Sequence, residues 1–93
     1  MFELSGYIRC RNETETERVR LLVAEHVRLT RAEPGCLSCD IVETDDPLVW
    51  LVVERFKDRA AFDLHQVRAL KSDWGTATKG IVRDYHLREE VGV

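Results

Sequence analysis

The chain has 93 residues, a net charge of −3, 44% hydrophobic residues and 33% charged residues. These values are typical of one folded domain and argue against a disordered chain. The negative charge provides no basic field for nucleic acid, and no apolar run approaches the roughly 20 residues that a membrane helix requires. The N-terminus lacks the pattern of a signal peptide, so we expect a single cytoplasmic domain over residues 1–93.

The first half of the chain predicts a strand, a helix and a second strand. Alternating apolar side chains indicate a strand over residues 2–10. Thr14 and Glu17 have the spacing of a capping box, and the helix ends before Pro34 and Gly35. A second strand follows over about residues 36–43. The apolar face of the helix has helical spacing and consists of Val19, Leu22, Val23, His26, Val27 and Thr30.

The second half predicts a strand, a helix and a final strand. Residues 48–56 are nearly all apolar, which is typical of a strand that is buried on both faces. Asp58 is a good N-cap for a helix over about residues 59–72. Residues 74–80 fit either a loop or a short helix, and the last strand covers about residues 81–89. The inner face of the second helix carries Phe62, His65, Ala69 and Leu70.

The element order β-α-β-β-α-β predicts an α+β, ferredoxin-like fold with a four-stranded antiparallel sheet and two helices on one face. The other face of the sheet is then open, although the central strand is apolar on both sides. A bare apolar face on so small a domain indicates a binding surface. We therefore expect a homodimer in which a second copy packs sheet against sheet, with shielding by the chain ends as the alternative.

Cys36 and Cys39 have C-x-x-C spacing, but we predict neither a redox pair nor a metal site there. The chain has three cysteines, and its three histidines are far apart in sequence, which does not match the ligand count and spacing of a zinc site. The pair also lies in a strand-like run, where positions i and i+3 face opposite sides, and not at a helix N-terminus. We expect two partly buried thiols.

Three titratable residues interrupt apolar patterns. His26 and His65 lie on the apolar faces of two helices that cover the same side of the sheet, so we expect the imidazoles to approach one cavity. Glu54 lies in an apolar strand, where a lone carboxylate requires a partner. A buried Glu beside His can act as a general base near neutral pH. We predict that these three residues are catalytic; the alternative is a structural polar network with Arg55 or Arg83 on the carboxylate.

Aromatic residues could line a pocket for a flat substrate. The candidates for substrate binding are Tyr7, Trp50, Phe62 and Trp74, with Trp74 as a lid and a place in the core as the alternative for each. Asp40 is expected to face away from Glu54 unless a bulge shifts the register. His86 is expected to be interfacial or exposed.

Several segments in order resemble the antibiotic biosynthesis monooxygenase (ABM) domain family. They are TRAEPGCL at 30–37, D-x-P at 45–47, VERF at 53–56 and DRAAF-x-x-H at 58–65. The resemblance covers essentially the whole chain and implies a small dimeric α+β barrel. It also implies cofactor-free oxygenation of aromatic or quinol-type substrates, as in some members, whereas others degrade haem, isomerise small phosphorylated compounds or have no assigned activity.

The leading hypothesis is therefore a cofactor-independent monooxygenase that acts on a small aromatic or quinol-type substrate. In such chemistry the deprotonated substrate supplies electrons to oxygen, and the protein contributes a dry cavity, a base and orientation. No Gly-rich phosphate loop indicates a flavin or nicotinamide site, and we predict no cofactor. The alternatives are a haem-binding or haem-degrading protein with His65 or His86 as axial ligand, an isomerase, and a non-catalytic dimeric module that binds a small metabolite.

Overall fold

The computed structural model describes residues 1–91 and contains one four-stranded sheet with helices on one of its faces. The strand order is β2-β3-β1-β4, and all neighbouring strands are antiparallel. The predicted α+β, ferredoxin-like fold is thus confirmed, with a third, short helix added. The strands are β1 (Phe2–Arg9), β2 (Cys36–Glu43), β3 (Val49–Phe56) and β4 (Val82–Glu89); the helices are α1 (Glu13–Arg31), α2 (Arg59–Leu70) and α3 (Asp73–Ala77).

Helix α1 begins at a different cap from the one that we predicted. The Asn12 side chain accepts a hydrogen bond from the Glu15 backbone N–H at 3.0 Å. The Glu15 carboxylate in turn accepts the Arg11 backbone N–H at 2.7 Å. The capping box predicted at Thr14 and Glu17 is therefore wrong, because the N-cap is Asn12, two residues earlier, and Glu15 reaches back to the residue before it.

Helix α2 begins as predicted and ends earlier. Asp58 caps it by accepting the Ala61 backbone N–H at 2.8 Å. The helix ends at Leu70 and not at Ser72, because the Ser72 hydroxyl caps α3 by accepting the Gly75 N–H at 3.2 Å. Within residues 1–91, no helix is long and apolar enough to cross a membrane.

The start of α3 packs tightly against the end of α2 at Gly75. A Cβ atom at this position would lie 2.2 Å from the Ala69 carbonyl oxygen, so the packing requires glycine. The neighbouring Leu70, predicted on the inner face of α2, has 75% of its surface exposed. Because the chain turns sharply into α3, Leu70 at the end of α2 lies on the surface and not in the core.

The sheet has an inner face, which packs against the helices, and an open face on the other side. Strand β3 alternates between them in a regular way. Trp50, Val52, Glu54 and Phe56 are buried on the inner face, and Val49, Leu51, Val53 and Arg55 are half-buried on the open face. The two-sided apolar character of this strand therefore corresponds to one core-facing side and one side that the single chain leaves uncovered.

A register shift in β2 changes the orientation of the two nearby cysteines. Cys36 pairs with Phe56 and Cys39 pairs with Glu54, with the irregularity between Cys36 and Ser38. Because both partners face the helices, both thiols lie on the inner face. The expectation that they face opposite sides is wrong, since the extra residue Leu37 alters the alternation.

The rest of β2 follows the predicted register. Asp40 pairs with Val53 of β3 and faces away from Glu54, as expected. Its carboxylate forms an exposed ion pair with Arg31 at 3.1 Å. Asp40 therefore stays outside the inner face, and Cys39 is the β2 residue that lies against Glu54.

Candidate active site

A cavity of about 590 Å³ lies between the inner face of the sheet and the helices. This volume is within the range of pockets that hold small molecules. Its wall combines apolar, aromatic and ionisable side chains from both the sheet and the helices. They include Leu4, Ile41, Glu54 and Tyr85 from the sheet and His26, His65, Ala69 and Trp74 from the helices.

The three predicted catalytic residues, which we call the His–Glu–His cluster, meet at this cavity. His26, Glu54 and His65 are 3%, 4% and 2% exposed, and one N or O atom of each lies within 4.8 Å of the other two. The His65 Nε2 is 3.5 Å from the Glu54 Oε1. The two imidazole rings are 5.7 Å apart between centroids. Helix α1, strand β3 and helix α2 thus contribute one member each.

Two further residues, which the sequence analysis missed, hold His65 in place. The His65 Nδ1 lies 2.8 Å from the Glu33 Oε1. The same carboxylate oxygen accepts from the Arg68 guanidinium at 2.7 Å, and Arg68 also donates to the Thr30 hydroxyl at 2.9 Å. Because a carboxylate can only accept, Nδ1 carries a proton, and Nε2 is the nitrogen that faces Glu54.

The two arginines that were considered as partners of Glu54 hydrogen-bond to other residues. Arg55 faces the open side and donates to Glu3 at 2.8 Å. Arg83 donates to the Thr78 carbonyl at 2.5 Å and to its hydroxyl at 2.7 Å. Arg68 is instead linked to the cluster through Glu33, which it contacts at 2.7 Å.

Burial dominates the electrostatics of the cluster. It raises the pKa of Glu54, and the neighbouring His65 partly opposes this effect. Burial, followed by His65, lowers the pKa of His26 to about 3, so this imidazole is neutral at pH 7. Burial and Glu54 also raise the pKa of the Cys39 thiol well above its usual value. The thiol lies 3.8 Å from the Glu54 Oε2 and is a protonated neighbour of the carboxylate.

Of the four aromatic residues predicted to bind substrate, Trp74 lines the cavity. Its indole stacks on the His26 ring, with 4.5 Å between centroids and 10° between planes. Tyr7 lies on the open face and is 38% exposed. Trp74 therefore combines a place beside the cluster with a flat apolar surface.

The other two aromatic residues are part of the core. The Trp50 indole N–H donates to the Thr16 hydroxyl at 3.0 Å. Phe62 packs against Phe2 and Phe56, with ring centroids 4.6 Å and 5.6 Å away. Neither side chain lines the cavity, and the predicted role in substrate binding has no support from their positions.

Strand β4 contributes cavity residues that the sequence analysis did not assign to the site. Arg83 and Tyr85 lie opposite Ile8 and Gly6 of β1, on the inner face. Burial raises the pKa of Tyr85 to about 12. Gly6 has φ of +147°, and a Cβ there would lie 2.0 Å from the Asp84 carbonyl oxygen. The alternation of β4 was the signal that could have identified Arg83 and Tyr85.

The two histidines that were considered as haem ligands are in different surroundings. His65 has a carboxylate beside each ring nitrogen, Glu33 at Nδ1 and Glu54 at Nε2. His86 pairs with Ser5 on the open face and is exposed, as expected. Neither environment favours an axial haem ligand. Within residues 1–91, the group of residues whose donor atoms lie close enough together for a metal ion is the His–Glu–His cluster.

Solved structures with this fold cover almost the entire chain. A protein from Nitrosomonas europaea, named for the antibiotic biosynthesis monooxygenases, has a TM-score of 0.83 and 20% identity over 99% of this chain and 100% of that chain. A structure described as an antibiotic biosynthesis monooxygenase has a TM-score of 0.73 and 25% sequence identity, over 99% of this chain and 100% of that chain. A Mycobacterium tuberculosis protein has a TM-score of 0.74 and 20% sequence identity, over 99% of this chain and 96% of that chain.

The sequence itself matches a family model over most of its length. The model, described as antibiotic biosynthesis monooxygenase, matches residues 1–70. No curated protein matches the chain. The matched residues include the whole His–Glu–His cluster and both of the residues that hold His65. The chain belongs to the antibiotic biosynthesis monooxygenase family and has its monooxygenase-like fold.

Proposed function

We propose that the protein is a cofactor-independent monooxygenase whose substrate, a small aromatic or quinol-type compound, binds in the cavity between the sheet and the helices. The observation that carries this proposal is the row Glu54, His65 and Glu33, in which the buried Glu54 and His65 border a cavity of about 590 Å³. Membership of the family supports the reaction class. The geometry of the cavity supports the roles that we propose for individual residues.

Glu54 is the proposed proton acceptor. Its carboxylate lies on the cavity wall among apolar side chains, where water solvates it poorly and a proton is bound strongly. His65 presents Nε2 towards Glu54 because Glu33 fixes the proton on Nδ1. The pair can therefore take the proton of a substrate hydroxyl and share it between oxygen and nitrogen.

Trp74 and His26 are the proposed positioning groups. Trp74 provides an aromatic surface against which a planar ring can lie. His26 is neutral at pH 7, so it can hydrogen-bond to a substrate oxygen without adding charge. Their stacking at 4.5 Å keeps the two rings parallel and fixes the orientation of the imidazole.

Deprotonation makes a quinol electron-rich enough to reduce oxygen directly. One oxygen atom enters a ring C–H bond, and the other leaves as water with the two hydroxyl hydrogens of the quinol. A quinol and O₂ thus give a hydroxyquinone and water, with all electrons supplied by the substrate. The buried cluster excludes bulk water from this step, which protects the reactive anion.

The test follows oxygen uptake by chelator-treated protein with a panel of quinols and hydroxylated polycyclic aromatics. Glu54→Gln keeps the shape of the side chain but removes the acceptor, so we expect turnover to fall by about 10²–10⁴. Glu3→Gln is the matched control: the same change on the open face, where Glu3 pairs with Arg55, leaves uptake unchanged.

Two results would count against the proposal. Unchanged uptake by folded Glu54→Gln would remove this residue from the mechanism. If the wild type consumed no oxygen with any compound of the panel, the monooxygenase assignment would be wrong, and a module that only binds a small metabolite would be favoured.

A further inference from the structure

We infer that His26, Glu54 and His65 form a binding site for one divalent first-row transition-metal ion of the Zn²⁺ or Co²⁺ type. The inference goes beyond the proposed oxygenation, and metal binding does not depend on it. The site was not predicted because its donors come from three separate elements and have no recognisable spacing in the sequence. Four features of the structure lead to it.

The first feature is the distance between donor atoms. A zinc ion binds N and O ligands at about 2.0–2.2 Å, which places two tetrahedral ligands about 3.4 Å apart. The His65 Nε2 and the Glu54 Oε1 are already 3.5 Å apart. All three donors lie within 4.8 Å of one another, so a shift of the His26 ring by about 1 Å completes the triad.

The second feature is the hydrogen bond behind His65. A histidine that binds a metal through one nitrogen usually donates its other N–H to a carboxylate, which fixes the ring and raises its basicity. Glu33 accepts from Nδ1 of His65 in this way at 2.8 Å, and Arg68 holds Glu33 in turn. The outer support of a metal-binding histidine is thus present.

The third feature is the unsatisfied ring of His26. Only 3% of the surface of this residue is exposed. Its Nδ1 has no hydrogen-bond partner within residues 1–91. A buried polar atom without a partner requires an explanation, such as a bound ion. One of the nitrogens of this ring belongs to the triad.

The fourth feature is the charge and type of the donors. Two imidazoles and one carboxylate suit zinc, cobalt, nickel and ferrous iron, whereas magnesium and calcium prefer oxygen ligands alone. The Glu54 carboxylate supplies the negative charge of the donor set, and the second carboxylate, Glu33, contacts His65 at 2.8 Å and Arg68 at 2.7 Å. Three protein ligands also leave at least one coordination position open towards the cavity.

A bound ion would compete with the substrate proton for the lone pairs of Glu54 and His65. Metal binding should therefore inhibit oxygenation, and this consequence rests on the proposed function. If the metal-free wild type consumes no oxygen, the proposed function is refuted and the metal site is not affected. The metal site is measured separately, by direct binding, so the two failures are distinguishable.

The experiment is a calorimetric titration of the chelator-treated full chain with Zn²⁺ and with Co²⁺. We expect the wild type to bind one ion per chain. The affinity for the ion should fall at least about 100-fold in His26→Gln, and about 10- to 100-fold in Glu33→Gln, because this variant lacks the carboxylate that supports His65. The control variant His86→Gln changes an exposed histidine of the open face and should bind like the wild type. Cys36→Ser should also bind like the wild type.

No binding of either ion at millimolar concentration would overturn the inference. So would binding that survives in His26→Gln and disappears in Cys36→Ser, because the ligands would then be thiolates. If a histidine variant fails to fold, the Co²⁺ spectrum of the wild type decides. Ligand-field bands without a thiolate charge-transfer band support the triad, whereas a thiolate band or no spectrum contradicts it.

Discussion

Glu54 is a charged residue among buried apolar neighbours on the inner face of β3. Val52 and Phe56 on either side of it are almost fully buried, and the apolar alternation would place a hydrophobic side chain between them. A buried carboxylate is unfavourable unless it is paired, and here His65 and Cys39 provide the partners. Packing alone would therefore favour a leucine, and the carboxylate is best explained by its chemistry.

This explanation predicts that Glu54→Leu loses oxygen uptake without loss of stability. Glu54→Leu removes the cost of burying a carboxylate, and His65 keeps its hydrogen bond to Glu33. We expect the free energy of unfolding in urea to stay the same or to rise, while turnover falls as in Glu54→Gln. A variant that unfolds far more easily than the wild type would instead favour the structural network as the role of Glu54.

At the scale of the element, the N-terminus of α1 positions His26 through a cap that was not the predicted one. Asn12 accepts the Glu15 backbone N–H, and the Glu15 carboxylate accepts the backbone N–H of Arg11, one residue before the cap. Thr14 and Glu17 have the same three-residue spacing but lie within the first turn and the helix beyond it. The two patterns overlap in the sequence, and the choice between them depends on where the chain leaves β1.

We predict that Asn12→Ala lowers the free energy of unfolding by about 1 kcal/mol, because a capping side chain is lost. Thr14→Ala is the matched control and should change stability by less than about 0.5 kcal/mol. Urea unfolding followed by circular dichroism measures both values. An equal or larger effect of Thr14→Ala would show that the capping interaction is assigned to the wrong residue.

The elements that could be predicted from the sequence are those with strong periodicity. The bounds of β2 agree with the expectation, and β1, β3 and β4 differ by one residue, because alternation and turn residues define them. The bulge at Leu37 could not be predicted, since it depends on how β2 pairs with β3. The bulge places Cys36 on the same face of the sheet as Cys39, and the bounds of β2 stay as predicted.

The same distinction applies to the candidate site. His26, Glu54 and His65 could be identified because each interrupts an apolar pattern. Glu33 and Arg68 could not, because both are partly exposed residues at ordinary polar positions, and the fold alone brings them to His65. The aromatic residues were predicted by type and not by position, which is why Trp50 and Phe62 turned out to belong to the core.

At the scale of the whole molecule, the open face of the sheet remains to be explained. Its centre is apolar, with Leu51 and Val53 of β3 half-buried and Val42 and Val82 of the flanking strands exposed. An uncovered apolar surface of this kind favours association. We propose that a second copy of the chain covers it, sheet against sheet.

This proposal predicts a particle of twice the 10.8 kDa chain mass in light scattering at micromolar concentration. Leu51→Arg places a charge at the centre of the open face and should give the monomer mass. Leu64→Arg is the control, because this leucine is exposed on α2, and the variant should remain a dimer. A wild-type protein with the mass of a single chain would contradict the proposal.

The proposed function requires that a substrate binds between the sheet and the helices with a hydroxyl group at Glu54. The most direct measurement is a crystal structure of the metal-free protein with a quinol analogue that cannot be oxidised. We expect the ring against Trp74 in the cavity, with one hydroxyl about 2.6–3.2 Å from the Glu54 carboxylate. A ligand on the open face of the sheet, or one in the cavity with no hydroxyl at Glu54, would contradict it.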